Sequence, residues 1–496
     1  MLTINNQDLT FEDVYRVATG KEKVALGKTA RQKVERTRTA IEKAVDNNEI
    51  IYGVTTGFGA FKNTAISPQD VAKLQENLIK SHAVGVGPLL EEAVVRGMMF
   101  LMANYLSKGY SGVRPVVIET LIELLNKGVC PAVPEQGSVG SSGDLAPSAH
   151  VILVLIGLGE VVVDGKTVSC APVLKKAGIK PVQLQAKEGL ALINNTSCMT
   201  AVGCVAMHEA TRLLEVADEA GALSAEALRA TTKAFDADIH RIKPHAGQIA
   251  TAARLRELLK GSTMVNNDKT QDQYSLRCMP QIHGAVREAY AYVKKVVNTE
   301  INSVTDNPLI FFDAKNNVKV ISGGNFHGEA MAVAMDTLGH AMSELANVSD
   351  RRIASIVDPA TSNGLPAFLV EKGGLNSGFM ILQYTTAALV SENKVLSHPA
   401  SVDSVPTSAN IEDLVSMGTI AARKARSILR NITNVLAIEL LTACQAIDFR
   451  LKEGYKLGKQ TSGHYKAVRK LAPYFPEDAV YYPYVNKLAE QVVRNG

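Results

Sequence analysis

No Cys-x-x-Cys pair occurs among the six cysteines, Cys130, Cys170, Cys198, Cys204, Cys278 and Cys444, so neither a zinc ribbon nor a dithiol redox motif is spelled out. Free thiols are expected. Charge of one sign is also missing: 53 basic and 49 acidic residues leave a formal net charge of +4, mixed along the chain. That balance excludes the strong field of a nucleic-acid or anionic-membrane binder. The ten histidines include no His-Glu-x-x-His or comparable ligand pair, and no metal site is expected. The N-terminus, Met1-Leu-Thr-Ile-Asn-Asn-Gln-Asp8, lacks the basic start and apolar run of a signal peptide. The richest apolar stretch, Val151 to Gly157, stops at Gly-Leu-Gly-Glu and falls short of a membrane span. The expectation is a cytoplasmic protein with no membrane partner. Short repeats and low-complexity tracts are absent as well.

What the chain does have is an ordinary globular balance, 46% hydrophobic and 21% charged over 496 residues, enough to bury a sizeable core. In the first third, Lys33 to Asn47, Ser67 to Ala83, Glu91 to Ser107 and Arg114 to Lys127 show helical periodicity. Glu160 to Val168 reads as a β-hairpin, because Asp164-Gly165 supplies the positive φ angles of a tight turn. The second half predicts long proline-free helices at about Met279 to Val304, His327 to Val357, Asn376 to Ser397 and Ile411 to Arg450. In the last, Leu414, Met417, Ala421, Ala425, Ile428, Ile432 and Val435 mark one buried stripe. A mainly α-helical fold follows, with a mixed region over residues 1–200 and a helical bundle over 201–496. Helices of such length pack against long neighbours, often in other subunits, so a homo-oligomer is expected.

Two loops hold too much glycine for simple connectors: Tyr52-Gly-Val-Thr-Thr-Gly-Phe-Gly59 and Gly137-Ser-Val-Gly-Ser-Ser-Gly-Asp144. Taken alone, the second is compatible with a helix entry in which Ser142 or Asp144 caps the following helix. Phosphate binding at a helix start is a further option, but the lysine and spacing of a P-loop are missing. A third reading is chemical. The amide nitrogen of Gly143 closes on the Ser141 carbonyl, and loss of water from the ring and from Ser142 leaves an exocyclic methylidene.

Gly-Ser-Val-Gly-Ser-Ser-Gly-Asp-Leu-Ala-Pro147 resembles the signature of the aromatic amino acid ammonia-lyase family, whose usual cyclising tripeptide is Ala-Ser-Gly. Ser141 stands here for that alanine, and only its backbone would enter the ring. Glu188-Gly-Leu-Ala-Leu-Ile-Asn194, Gln271-Asp-Gln-Tyr-Ser-Leu-Arg-Cys278, Thr305-Asp-Asn-Pro308, Ser322-Gly-Gly-Asn-Phe-His327 and Ser391-Glu-Asn-Lys394 resemble further family blocks in family order, so the likeness covers nearly the whole chain.

The resemblance implies a fold like that of fumarase and aspartase, a homotetramer with sites built from more than one subunit, and a 4-methylidene-imidazol-5-one (MIO) group formed from Ser141, Ser142 and Gly143. No metal or diffusible cofactor is implied. By the same resemblance Tyr52 is the general base, Asn194 and Tyr274 polarise the electrophile and meet the substrate amine, and Phe326 is an active-site aromatic. Arg277 is the clamp for the substrate carboxylate, since a guanidinium meets a carboxylate through two hydrogen bonds. Substrate choice falls to Ser81, His82 and Glu412. Phenylalanine lyases of the family typically place Phe-Leu at the first site and tyrosine lyases His-Leu, whereas the histidine lyases resemble this Ser-His pair, with a glutamate in the block Thr407 to Asp413. The implied reaction is elimination of ammonia from L-histidine to trans-urocanate. Alternatives are a lyase for L-phenylalanine or L-tyrosine, an aminomutase, or a non-catalytic relative of the fold. The chain departs from the histidine pattern at Thr55 (usually Asn) and Leu414 (commonly His). Asn195 stands where glycine is usual, a position expected to use asparagine's tolerance of left-handed backbone angles.

Overall fold

The structure is a computed structural model and describes residues 1–47, 56 and 70–494. It comprises two compact units, Met1–His208 with Lys294–Asp336 and Pro399–Arg423, and Glu209–Val293 with Thr337–His398 and Lys424–Gly496. A cut near residue 200 marks where the long helices begin. Four of the five unit bounds, however, fall inside helices Ser197–Ala227, Met279–Ile301, Glu329–Val357 and Gly418–Lys452, and the units alternate along the sequence.

At the centre of the first unit is helix Glu92–Ser107. After Arg96 it carries no charge, and every residue from Val94 to Ser107 is buried, as an apolar surface on all sides demands. Helices Phe11–Ala18 and Pro115–Asn126 pack on it. The buried Arg96 donates to the carbonyls of Val17, Ala18 and Leu125, at the C-terminal ends of both neighbours. The expected hairpin is present: Glu160–Val163 pairs antiparallel with Lys166–Ser169, turning through Asp164 (φ 49°) and Gly165 (φ 75°). The sheets among the described residues are small, of two or three strands each.

The second unit buries an ion pair. Arg352 and Glu439 are both fully inaccessible, joined at 2.5 Å (Nε to Oε1) and 2.9 Å (Nη2 to Oε2), with the Ser224 and Ser349 hydroxyls donating to the same carboxylate. Such a pair is tolerable in a core only because its remaining hydrogen-bonding capacity is filled. Arg352 Nη1 also reaches the Ser275 carbonyl at 3.4 Å, which tethers the short helix Tyr274–Arg277.

Three expectations are corrected. The last long helix begins at Gly418, not near Ile411, and Leu414 is 63% exposed and outside the buried stripe. Its periodicity is real but interrupted by Met417, whose φ of 56° ends any right-handed helix there. Secondly, the stretches Glu188–Ala227 and Gly418–Lys452 are long and apolar enough, by length and composition, to cross a membrane. Their most apolar windows are 100% and 83% buried inside the protein, so both are core helices. Thirdly, no side chain caps helix Leu145–Leu155; the Asp144 carboxylate is used elsewhere. The six cysteines are free, as expected, and all but the half-buried Cys278 are buried.

Candidate active site

The Gly137 to Asp144 loop is held by hydrogen bonds to three other segments of the first unit. Gly328 N donates to Gly140 O at 3.1 Å, Met417 N to Val139 O at 2.8 Å, and Asp144 N to Asn195 O at 2.6 Å. Gly143 takes φ +74°, and a Cβ there would lie 2.5 Å from the Asn195 carbonyl carbon and 2.8 Å from its nitrogen. Only glycine fits, by conformation and by space. Asn195 itself keeps a negative φ, correcting the expectation of a left-handed backbone. Its side chain instead accepts from Ser197 N at 2.8 Å and donates to Leu192 O at 3.0 Å, bridging two helix ends.

Asp144 is fully buried. Ser138 Oγ donates to its Oδ1 at 2.9 Å, Thr419 Oγ1 donates to the same oxygen, and Met199 N donates to Oδ2 at 2.8 Å. The carboxylate therefore caps helix Ser197–Ala227, not the helix that follows it. Burial raises its pKa, against the opposing pull of these donors. Asp144 and Thr419 are site-building residues that the sequence reading missed; the signal available was an acidic residue closing a glycine-rich loop.

Of the sequence-identified residues, Ser141, Ser142, Gly143, Asn194 and Glu412 meet directly. Asn194, at the end of helix Glu188–Ile193, donates from Nδ2 to the Ser142 carbonyl at 2.8 Å. Glu412 accepts from Ser142 Oγ at 3.0 Å on Oε1 and from Ser141 Oγ on Oε2. Phe326 is half-buried in the turn that ends at Gly328, whose amide bonds the loop.

Ser81 and His82 end helix Val71–His82. The Ser81 hydroxyl donates to Leu78 O at 3.1 Å and lies 3.0 Å from His82 Nδ1. Burial lowers the His82 pKa; hydrogen bonding at Leu78 and the charge of Glu412 pull it back upward. Tyr274 and Arg277 lie in the second unit, the guanidinium 4.9 Å over the Tyr274 ring and bonded to Gln271 Oε1 at 2.6 Å. Tyr52 lies outside the described residues, as does Thr55.

This arrangement fits a group made from the tripeptide. Gly143 sits in a cradle that a Cβ would fill, and the Ser142 carbonyl, which the ring would retain, already has a donor in Asn194. The Ser142 hydroxyl, which would leave, faces a carboxylate.

Comparison with known proteins agrees. The family model for aromatic amino acid lyase matches residues 9–470. A histidine ammonia-lyase of Alkaliphilus oremlandii is 53% identical over 99% of this chain and 96% of its own length. One from Caldanaerobacter subterraneus is 51% identical over 100% and 97%. Among solved structures, a histidine ammonia-lyase from Trypanosoma cruzi superposes with a TM-score of 0.92 at 42% identity, covering 100% of this chain and 93% of that one. A tyrosine aminomutase from Streptomyces globisporus gives 0.95 at 39% identity, covering 99% and 97%. The helical aspartase- and fumarase-like fold expected from the sequence is the fold of these neighbours. From loop to last helix, in sequence and in structure, the chain belongs to the aromatic amino acid lyase family.

Proposed function

We propose that this protein is a carbon–nitrogen lyase that converts L-histidine to trans-urocanate and ammonia, using an MIO group made from Ser141, Ser142 and Gly143. The observation that carries the reading is the placing of Glu412 on the tripeptide's hydroxyls, with its charge felt at His82. An amino acid bearing an imidazole suits that pair: His82 Nε2 accepts a ring N–H, and Glu412 takes another ring N–H or helps move the β-proton. Relatives named histidine ammonia-lyase at 51–53% identity support the same substrate.

When formed, the group supplies an electrophilic carbon that makes the amine a competent leaving group. Asn194 stabilises charge on the Ser142 carbonyl oxygen. Tyr52 is assigned removal of the β-proton, Arg277 the substrate carboxylate, Tyr274 the amine region, and Phe326 a wall of the pocket. The working form is a cytoplasmic homotetramer whose sites draw on more than one subunit.

The likeness to tyrosine aminomutase favours a second reading, in which ammonia returns to the β-carbon. Product absorbance with L-histidine, L-phenylalanine and L-tyrosine separates the two. Formation of urocanate alone is the expected result; turnover of tyrosine or phenylalanine but not histidine would sink the histidine assignment.

A pH prediction follows from His82. Because burial lowers its pKa, the ring stays neutral from high pH down through the ordinary value of about 6.5. It loses its acceptor only as pH falls through the lowered value. Dividing kcat/KM of the parent by that of His82→Gln cancels ionisation of the substrate. The ratio should be largest above about pH 6.5 and decline in acid; a ratio flat with pH would contradict the role of His82.

A further inference from the structure

We infer that Ser141 and Thr407 are positioning residues, whose hydroxyls together clamp Oε2 of Glu412 so that Oε1 faces the Ser142 side chain. The inference rests on the lyase reading and deepens it. Ser141 Oγ donates to Oε2, and Thr407 Oγ1 donates to the same oxygen at 3.1 Å, while Ser142 Oγ occupies Oε1 at 3.0 Å.

Formation of the electrophile removes the Ser142 hydroxyl as water but leaves the side chains of Ser141 and Thr407 untouched. In the mature site Oε2 therefore keeps both donors, and Oε1 has lost the one it had. The oxygen released is the one that the Ser142 hydroxyl had engaged. An alanine at position 141, the residue usual in the family, would leave Oε2 with Thr407 alone. Its replacement by serine thus adds a restraint on Glu412 that the ring chemistry does not need.

The backbone that carries Glu412 is built to hold the second half of the clamp. Thr407 and Glu412 form an antiparallel bridge, with Thr407 N to Glu412 O at 2.9 Å and Glu412 N to Thr407 O at 3.3 Å. Between them Ser408, Ala409 and Asn410 all take left-handed angles, φ 51°, 54° and 65°. Such angles are costly for residues other than glycine, and a run of them persists only where surrounding bonds over-determine it. The bridge fixes the spacing of Thr407 from Glu412, and the Ser141 contact fixes the carboxylate against the tripeptide. The flexible side chain of a glutamate is thereby held through one oxygen by two separate segments.

The test uses the full chain carrying Ser141→Ala, Thr407→Val or Thr407→Ser, each also combined with Glu412→Gln. Intact mass gives the fraction of chains that have lost two waters, and steady-state kinetics on L-histidine gives kcat and KM. Ser141→Ala and Thr407→Val should each mature fully and lower kcat/KM roughly fivefold, the worth of one hydrogen bond. Thr407→Ser should restore the parent value. In the Glu412→Gln background the further loss from Ser141→Ala should shrink below about twofold, because the clamp has nothing left to position. Equal losses in both backgrounds, no loss in the parent background, or a loss that tracks immature chains would overturn the clamp. If the parent chain acts on L-phenylalanine or L-tyrosine instead, the same series is read with that substrate, so the histidine assignment and the clamp fail separately. A parent chain of unaltered mass overturns both.

Discussion

Replacing Ser142 with alanine should abolish turnover, by at least ~10³-fold, while fold and assembly persist. The side chain is half-buried, and among the described residues its hydroxyl bonds Glu412 alone, which keeps Ser141 and Thr407 as donors. No other bond among the described residues is lost with that hydroxyl. The chemistry does, because without Oγ there is no second water to eliminate and no methylidene carbon to accept the substrate amine. Intact mass gives an independent reading. The parent chain should weigh about 36 Da less than its sequence, and the variant should lose at most about 18 Da. Substantial residual turnover in Ser142→Ala would end the proposed mechanism, whatever the substrate.

Gly143→Ala should fail one step earlier. The added methyl would stand 2.5 Å from the Asn195 carbonyl carbon, on a residue held at φ +74°. The left-handed angle costs about 1–2 kcal/mol for an L-residue, and overpacking against fixed backbone about 1–3 kcal/mol more. Asn195 cannot step aside cheaply. Its carbonyl accepts from Asp144 N at 2.6 Å, and its side chain holds two helix ends. The loop must therefore move, and Gly143 N is carried away from the Ser141 carbonyl. The expected result is a chain of full mass, without turnover, and with a lowered denaturation midpoint. A variant that matures and unfolds like the parent would show that the cradle around Gly143 is not what permits closure.

Much of the fold is legible from one sequence because its determinants are local. Asp164-Gly165 dictates a hairpin turn through its φ angles alone, and the uncharged run after Arg96 dictates a helix buried on every side. The start of the last long helix is not legible in the same way. Leu414 and Met417 continue the spacing of Ala421 and Ala425, yet Met417 turns left-handed. Its amide goes to Val139 O, and the neighbouring Ser416 hydroxyl goes to Gly140 O at 2.9 Å. Periodicity registers what a helix would bury; it does not register a competing hydrogen bond from a loop almost 280 residues away.

The same division runs through the site. That Ser141-Ser142-Gly143 is a candidate electrophile, and that His82 and Glu412 are candidates to meet an imidazole substrate, is what the resemblance of the sequence blocks to those of the family implies. Residue identity limits which covalent steps are possible, so it can be read without coordinates. That Asp144 caps helix Ser197–Ala227, that Asn195 works through its side chain, and that Ser141 reaches Glu412 were decided only by tertiary structure. Each of these is a bond between groups distant in sequence or one of several that a short polar side chain can make. Which bond forms depends on where the folded backbone leaves an unsatisfied partner.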